Sequence, residues 1–217
     1  MSATTLMDLQ YLIENGELNK MIFLFFITFI LCIFTHELGH LIMAKLVNCK
    51  VNLFSIGFGT PIIKKEIGGT IYQITLFPIG GKCDLKGELE YSEDDDAFLN
   101  LSLTKKILIS IAGITVNIVL GIVTFLLGFH YRNVPLMFFG GLSVILGITN
   151  LIPTFPCLDG SYLIYYPLII KKFGKKEGIK IIKLIVHISL KIAVILNILS
   201  IPLLIWMFIK GVFNVSY

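Results

Sequence analysis

The chain has 217 residues, of which 56% are hydrophobic and 15% charged. Soluble domains carry about 25% charged residues and about 45–50% apolar ones, so a soluble globular protein is excluded and a membrane protein is expected. The net charge of +4 does not argue for nucleic acid as a partner, because the apolar stretches leave no soluble domain to carry a basic binding face.

Four stretches approach the ~20 apolar residues needed to cross a bilayer core: Met21 to Leu46, Ile107 to Phe129, Pro135 to Ile152 and Ile192 to Ile209. Residues 1–20 hold Asp8, Glu14 and Glu17 against the single basic Lys20. A secretory signal opens with a basic region, so 1–20 reads as an N-terminal segment and Met21 to Leu46 as a retained anchor. Residues 21–217 then form one membrane domain. Between the first and second spans, Val51 to Glu90 is different in kind. Its run Ile71 to Leu76 is rich in β-formers, and Ile67-Gly68-Gly69-Thr70 reads as a tight turn between two such runs. A small β-sheet or hairpin is expected there, set against protein or a water-filled cavity because an open sheet edge cannot face lipid.

The acidic run Glu88 to Asp96 follows and reads as solvated surface. The second helix runs from Lys105 to Phe129, and a five-residue turn, His130 to Val134, leads into the third. Pro153 and Pro156 break that third helix before Leu158-Asp159-Gly160. A short helix, Gly160 to Ile170, a lysine-rich loop, Lys171 to Lys180, and the last span complete the chain. Lysines concentrate in Lys45 to Lys106, which holds eight, and Lys171 to Lys183, which holds six. The Lys/Arg bias of short loops puts both on the cytosolic side and both termini outside. The expected fold is thus mainly α, with four transmembrane helices, a sheet between the first two and a broken third.

The chemistry lies in His36-Glu37-Leu38-Gly39-His40. Helix positions i and i+4 share a face, so His36 and His40 can grip one zinc ion while Glu37 acts as general base on an attacking water. Of fourteen acidic residues, Glu37 and Asp159 alone fall in the expected membrane segments, where ionisable groups are costly and functional by default. A catalytic zinc takes three protein ligands, which makes Asp159 the natural third. Two other readings stay open: Asp159 as the N-cap of the helix beginning at Gly160, and Cys157 as the ligand instead. The four cysteines form no CxxC pair and no disulfide framework. Lys183, His187 and Lys191 recur every fourth residue as a polar stripe, and His130 lies at the opposite depth.

With these residues in place, the chain resembles the site-2 protease family of intramembrane zinc metalloproteases from about Ile22 to Tyr166. The resemblance is carried by the His36–His40 motif and by Phe54-Ser55-Ile56-Gly57-Phe58-Gly59 with Phe77-Pro78-Ile79-Gly80-Gly81. It is carried further by Asn150-Leu151-Ile152-Pro153 with Leu158-Asp159-Gly160, similar to the family's NxxP and LDG motifs. It implies Asp159 as third ligand of one zinc ion, Asn150 as a substrate-handling residue and a bacterial cell membrane as location. It also implies a single-span membrane protein or peptide precursor as substrate, and a regulatory membrane protein as a further partner. The chain departs from the pattern in three places: five residues rather than four stand between Pro153 and Asp159, Ser161 replaces a glycine, and Ala112 to Asn117 lacks the usual proline. With no PDZ domain in the His130 to Val134 turn and no CBS domain expected, a minimal catalytic core is anticipated. The rival reading is a zinc-binding membrane scaffold that does not cleave; intact Glu37 speaks against it. A metal transporter would need more acidic groups along a path.

Overall fold

The computed structural model describes residues 17–152 and 158–213; beyond Lys191 only the backbone is described. The chain divides into two compact units. The smaller consists of the chain's two ends, Met1–Phe26 and His187–Tyr217, and its described parts, 17–26 and 187–213, are helical. The larger, Ile27–Val186, carries every element that bears on chemistry.

In chain order the elements are helix α1 (Glu17–Leu46), strands β1 (Val51–Ile67) and β2 (Thr70–Leu85) and a 3-10 turn (Phe98–Asn100). Helices α2 (Leu103–His130), α3 (Val134–Leu151) and α4 (Asp159–Phe213) follow. Among the described residues, three helices are long and apolar enough to cross a membrane: Phe23–Leu46, Leu103–His130 and Val134–Leu151. Large apolar side chains such as Val119, Leu126, Phe129 and Ile145 stand more than half exposed on them. In water such an array would be a liability, and it suits a lipid contact. Ile192 to Ile209, the fourth expected span, is helical in its backbone, and its side chains lie outside the described residues.

Helix α1 stops where Asn48 adopts φ 61° and the Cys49 amide bonds back to the Ala44 carbonyl at 2.8 Å. Asn tolerates this left-handed conformation, and Lys45 in the last turn complements the helix dipole. The chain then enters the sheet. The two strands are bent, and their register falls into three stretches. Val51 to Ile56 pairs with Gly81 to Leu85; Leu53 to Ile56 also pairs with Ile71 to Ile74; and Pro61 to Ile67 pairs with Thr70 to Thr75. Gly68 and Gly69, at φ 59° and 70°, form the expected two-residue turn. Leu41 and Ala44 of α1, Val51, Phe54, Ile56 and Leu85 of the sheet, Phe98, Ile109 and Ile179 share one core. The β2 segment Gly81–Leu85 is thereby fixed against α1.

The membrane helices cross closely. A Cβ at Gly39 would lie 2.9 Å from the Ala112 carbonyl oxygen, and small residues at such crossings let backbones approach. One helical turn away, the fully buried Asn117 accepts a hydrogen bond from the Thr35 hydroxyl at 3.2 Å. The Ser143 hydroxyl donates to its backbone carbonyl at 3.0 Å. One side chain with its carbonyl thus ties α1, α2 and α3 together.

Two expectations are corrected. Lys171 to Lys180 is not a loop but helix, interrupted only at Gly174 (φ 75°, ψ 165°). Lysine and glutamate are good helix formers, and the stretch contains no proline. The acidic run is not solvated throughout. Glu88 is buried and accepts from the Leu85 amide at 3.2 Å, and Lys86 is held by Asp94 at 2.9 Å and Asp96 at 2.8 Å. Burial pushes the Glu88 carboxyl up to about 8, despite the Leu85 amide that favours its ionised form.

Candidate metal centre

Helix α1 places His36 and His40 four residues apart, and both are buried. Their Nε2 atoms stand 3.2 Å apart. Asp159, the first residue of α4, brings Oδ2 to 2.8 Å from His36 Nε2 and 3.2 Å from His40 Nε2. All three ligand atoms lie within 4.8 Å of one another, as one metal ion requires. A tetrahedral zinc with bonds of about 2.1 Å separates its ligand atoms by about 3.4 Å, near the three edges seen. Two imidazoles and a carboxylate also match zinc by donor type.

Orientation comes from groups outside the motif. The His40 Nδ1–H donates to the Ile109 carbonyl at 2.8 Å, which fixes the tautomer and leaves the Nε2 lone pair for a metal. This approach depends on Gly113: a Cβ there would sit 2.4 Å from His40 Nε2 and 2.7 Å from the His36 carbonyl oxygen. His36 Nδ1 is buried without a hydrogen-bond partner among the described residues. Glu37 is half-buried, and the Cys83 backbone amide of β2 lies beside its carboxylate.

Asp159 opens α4, yet its Oδ2 is engaged with the histidines. Asn150 lies in the last turn of α3 and is half-buried. The α3 end is close packed, since a Cβ at Gly160 would lie 2.2 Å from the Leu151 carbonyl oxygen. Cys157, Pro153 and Pro156 lie outside the described residues. Lys183, His187 and Lys191 are exposed, with Lys183 3.6 Å from Glu90; His130 sits in the turn at the far end of α2.

Sequence reasoning missed Ile109, Gly113 and the Cys83 amide. Backbone groups leave no side-chain signature, and Gly113 offered only its identity. Gly80-Gly81 was visible as punctuation, not as clearance for Glu37.

Site and fold together define a class: a membrane-spanning helical protein with a histidine–carboxylate metal centre beside a small sheet. The chain belongs to Peptidase family M50, whose model matches residues 24–134. It is 40% identical over 104 residues to a Borreliella burgdorferi protein provisionally named as a zinc metalloprotease, a match covering 43% of this chain and 24% of that one. A similarly named Campylobacter jejuni protein is 42% identical over 93 residues, covering 41% and 25%. A Helicobacter pylori protein of the same provisional name is 34% identical over 119 residues, covering 51% and 34%. The match thus spans from a quarter to a third of these relatives' length.

Proposed function

We propose that this protein is a zinc endopeptidase that hydrolyses peptide bonds of membrane-anchored substrates within or beside the bilayer. The carrying observation is the convergence of His36 Nε2, His40 Nε2 and Asp159 Oδ2 next to Glu37, on a helix with the length and apolarity of a membrane span. In this reading His36, His40 and Asp159 hold the ion. A bound zinc would polarise the scissile carbonyl and make water a competent nucleophile near neutral pH. The Glu37 carboxylate takes the proton of the attacking water and delivers it to the leaving amine nitrogen. The Ile109 carbonyl keeps His40 in the ligating tautomer.

The substrate is a single-span membrane protein or peptide precursor whose helix must unwind, because a helical peptide bond is shielded by its own hydrogen bonding. The unwound strand adds to a sheet edge. The outer edge open to it is Pro61–Ile67, which pairs on one side only, with Thr70–Thr75, whereas Gly81–Leu85 spends its Leu85 amide on Glu88. Asn150 holds the substrate backbone as it leaves. The lysine-rich segments favour a site toward the cytosolic side with both termini outside, and a regulatory membrane protein would act on this core from without.

The test is co-expression of wild type and Glu37→Gln with a panel of single-span membrane proteins, followed by zinc analysis of the purified chains. Glu37→Gln is expected to keep its zinc and release no cytosolic fragment. Cleavage at the wild-type rate by Glu37→Gln would remove the base assignment. Bound zinc with no substrate cut by wild type would favour a non-cleaving scaffold.

A further inference from the structure

We propose that Gly81 of β2 is a positioning residue for the Glu37 carboxylate, supplying the space in which the base sits. This rests on the reading of Glu37 as the base.

A Cβ built on Gly81 would lie 2.6 Å from Glu37 Cγ, 3.2 Å from Glu37 Cδ and 2.9 Å from Ile33 Cγ2. The space left by the missing side chain is therefore filled by the base itself. Gly80 and Gly81 differ in what they contribute. Gly80 has φ +106°, a conformation that favours glycine, whereas Gly81 does not lie in the left-handed range. At Gly81 the backbone would accept any residue, so glycine is required there by the neighbour it faces.

Neither side of the contact can move freely. Glu37 stands between two buried histidines on a continuous helix. Gly81 is registered against Ile56 and Cys83 against Phe54, both buried in the core, and the strand's end is pinned by the Leu85 amide on Glu88. Restoring ordinary contact at Gly81→Ala, about 3.4 Å, requires Glu37 to retreat by about 0.8 Å, and misplacement by about 1 Å can cost about 10²-fold in rate.

The experiment uses the full chain in detergent, with unfolded casein as the probe substrate because it needs no unwinding. Gly81→Ala is expected to bind zinc as tightly as wild type, to lose about 10²-fold in kcat with KM unchanged, and to alter the visible spectrum of the cobalt-loaded protein. In a Glu37→Ala background, which lacks the Cγ that the new methyl would meet, the same substitution should leave the cobalt spectrum unmoved. Gly81→Ser is the second variant, since it carries the same Cβ; it too should lower kcat at unchanged zinc affinity. If both variants keep wild-type kcat and cobalt spectrum, or if Gly81→Ala loses zinc, the positioning role is overturned. Normal cleavage by Glu37→Gln would instead sink the base assignment, a separate result obtained without touching β2.

Discussion

The metal centre should be acutely sensitive to one methyl group on a helix that contributes no ligand. In Gly113→Ala the new Cβ would stand 2.4 Å from His40 Nε2, 2.8 Å from His40 Cδ2 and 2.7 Å from the His36 carbonyl oxygen. The carbonyl cannot yield, being part of the α1 ladder. The imidazole must then withdraw by about 1 Å to reach ordinary contact near 3.4 Å, whereas metal–ligand distances tolerate only about ±0.2 Å. Moving the ring also stretches the 2.8 Å bond from Nδ1 to Ile109, so the metal loses a ligand and the tautomer loses its anchor together. Loss of outer partners alone costs about 10–100-fold in metal affinity, so Gly113→Ala should weaken zinc binding by about 10²-fold or more. Helix propensity pushes the opposite way, since Ala is favoured over Gly by about 1 kcal/mol in a helix interior; a variant of undiminished thermal stability with weakened zinc would therefore separate the two effects. Titration of the purified full chain against a chromophoric zinc chelator measures this directly. Wild-type affinity in Gly113→Ala would refute the argument, because nothing else in the contact could then be rigid.

Asp159→Ala should lower zinc occupancy under chelator competition, and unchanged zinc content would remove Asp159 from the ligand set. Glu88 sets a pH dependence of stability: its carboxyl is pushed up to about 8 in the fold from an ordinary 4.5, so the unfolded chain ionises first and stability should fall as pH rises from about 4.5 to about 8. Glu88→Gln should flatten that fall in melting experiments run at successive pH values, and an unchanged slope would assign it to another group.

Much of the architecture is legible because the bilayer imposes simple rules. Apolar length announces α1, α2 and α3, and Gly68-Gly69 between β-rich runs announces the hairpin. Helical geometry likewise brings His36 and His40 together from their spacing alone. What could not be read is contact between distant segments. Nothing in Ile109, Gly113 or Cys83 as letters says that a carbonyl, an absent side chain and an amide converge on the motif. The lysines of 171–180 misled for a related reason: charge marks exposure to water, and an exposed segment can be helix as readily as loop. Glu88 misled because composition cannot distinguish the one carboxyl that folds inward from its solvated neighbours.

The arrangement shows why a helical HExxH segment alone is insufficient at membrane depth. A helix fixes the spacing of its side chains, but its own amides and carbonyls are spent in its ladder and cannot orient them. Each orienting group here comes from a place with spare hydrogen-bonding capacity. The Ile109 carbonyl has a second lone pair, laid bare by the glycine four residues on. Asp159 stands where α4 begins, so its carboxylate is not committed to a helix face. A sheet packed against a membrane helix serves the base in the same way, since at Gly81 it leaves the space that Glu37 occupies. Filling that space should leave the metal and silence the base, whereas filling the space at Gly113 should expel the metal and leave the base in place.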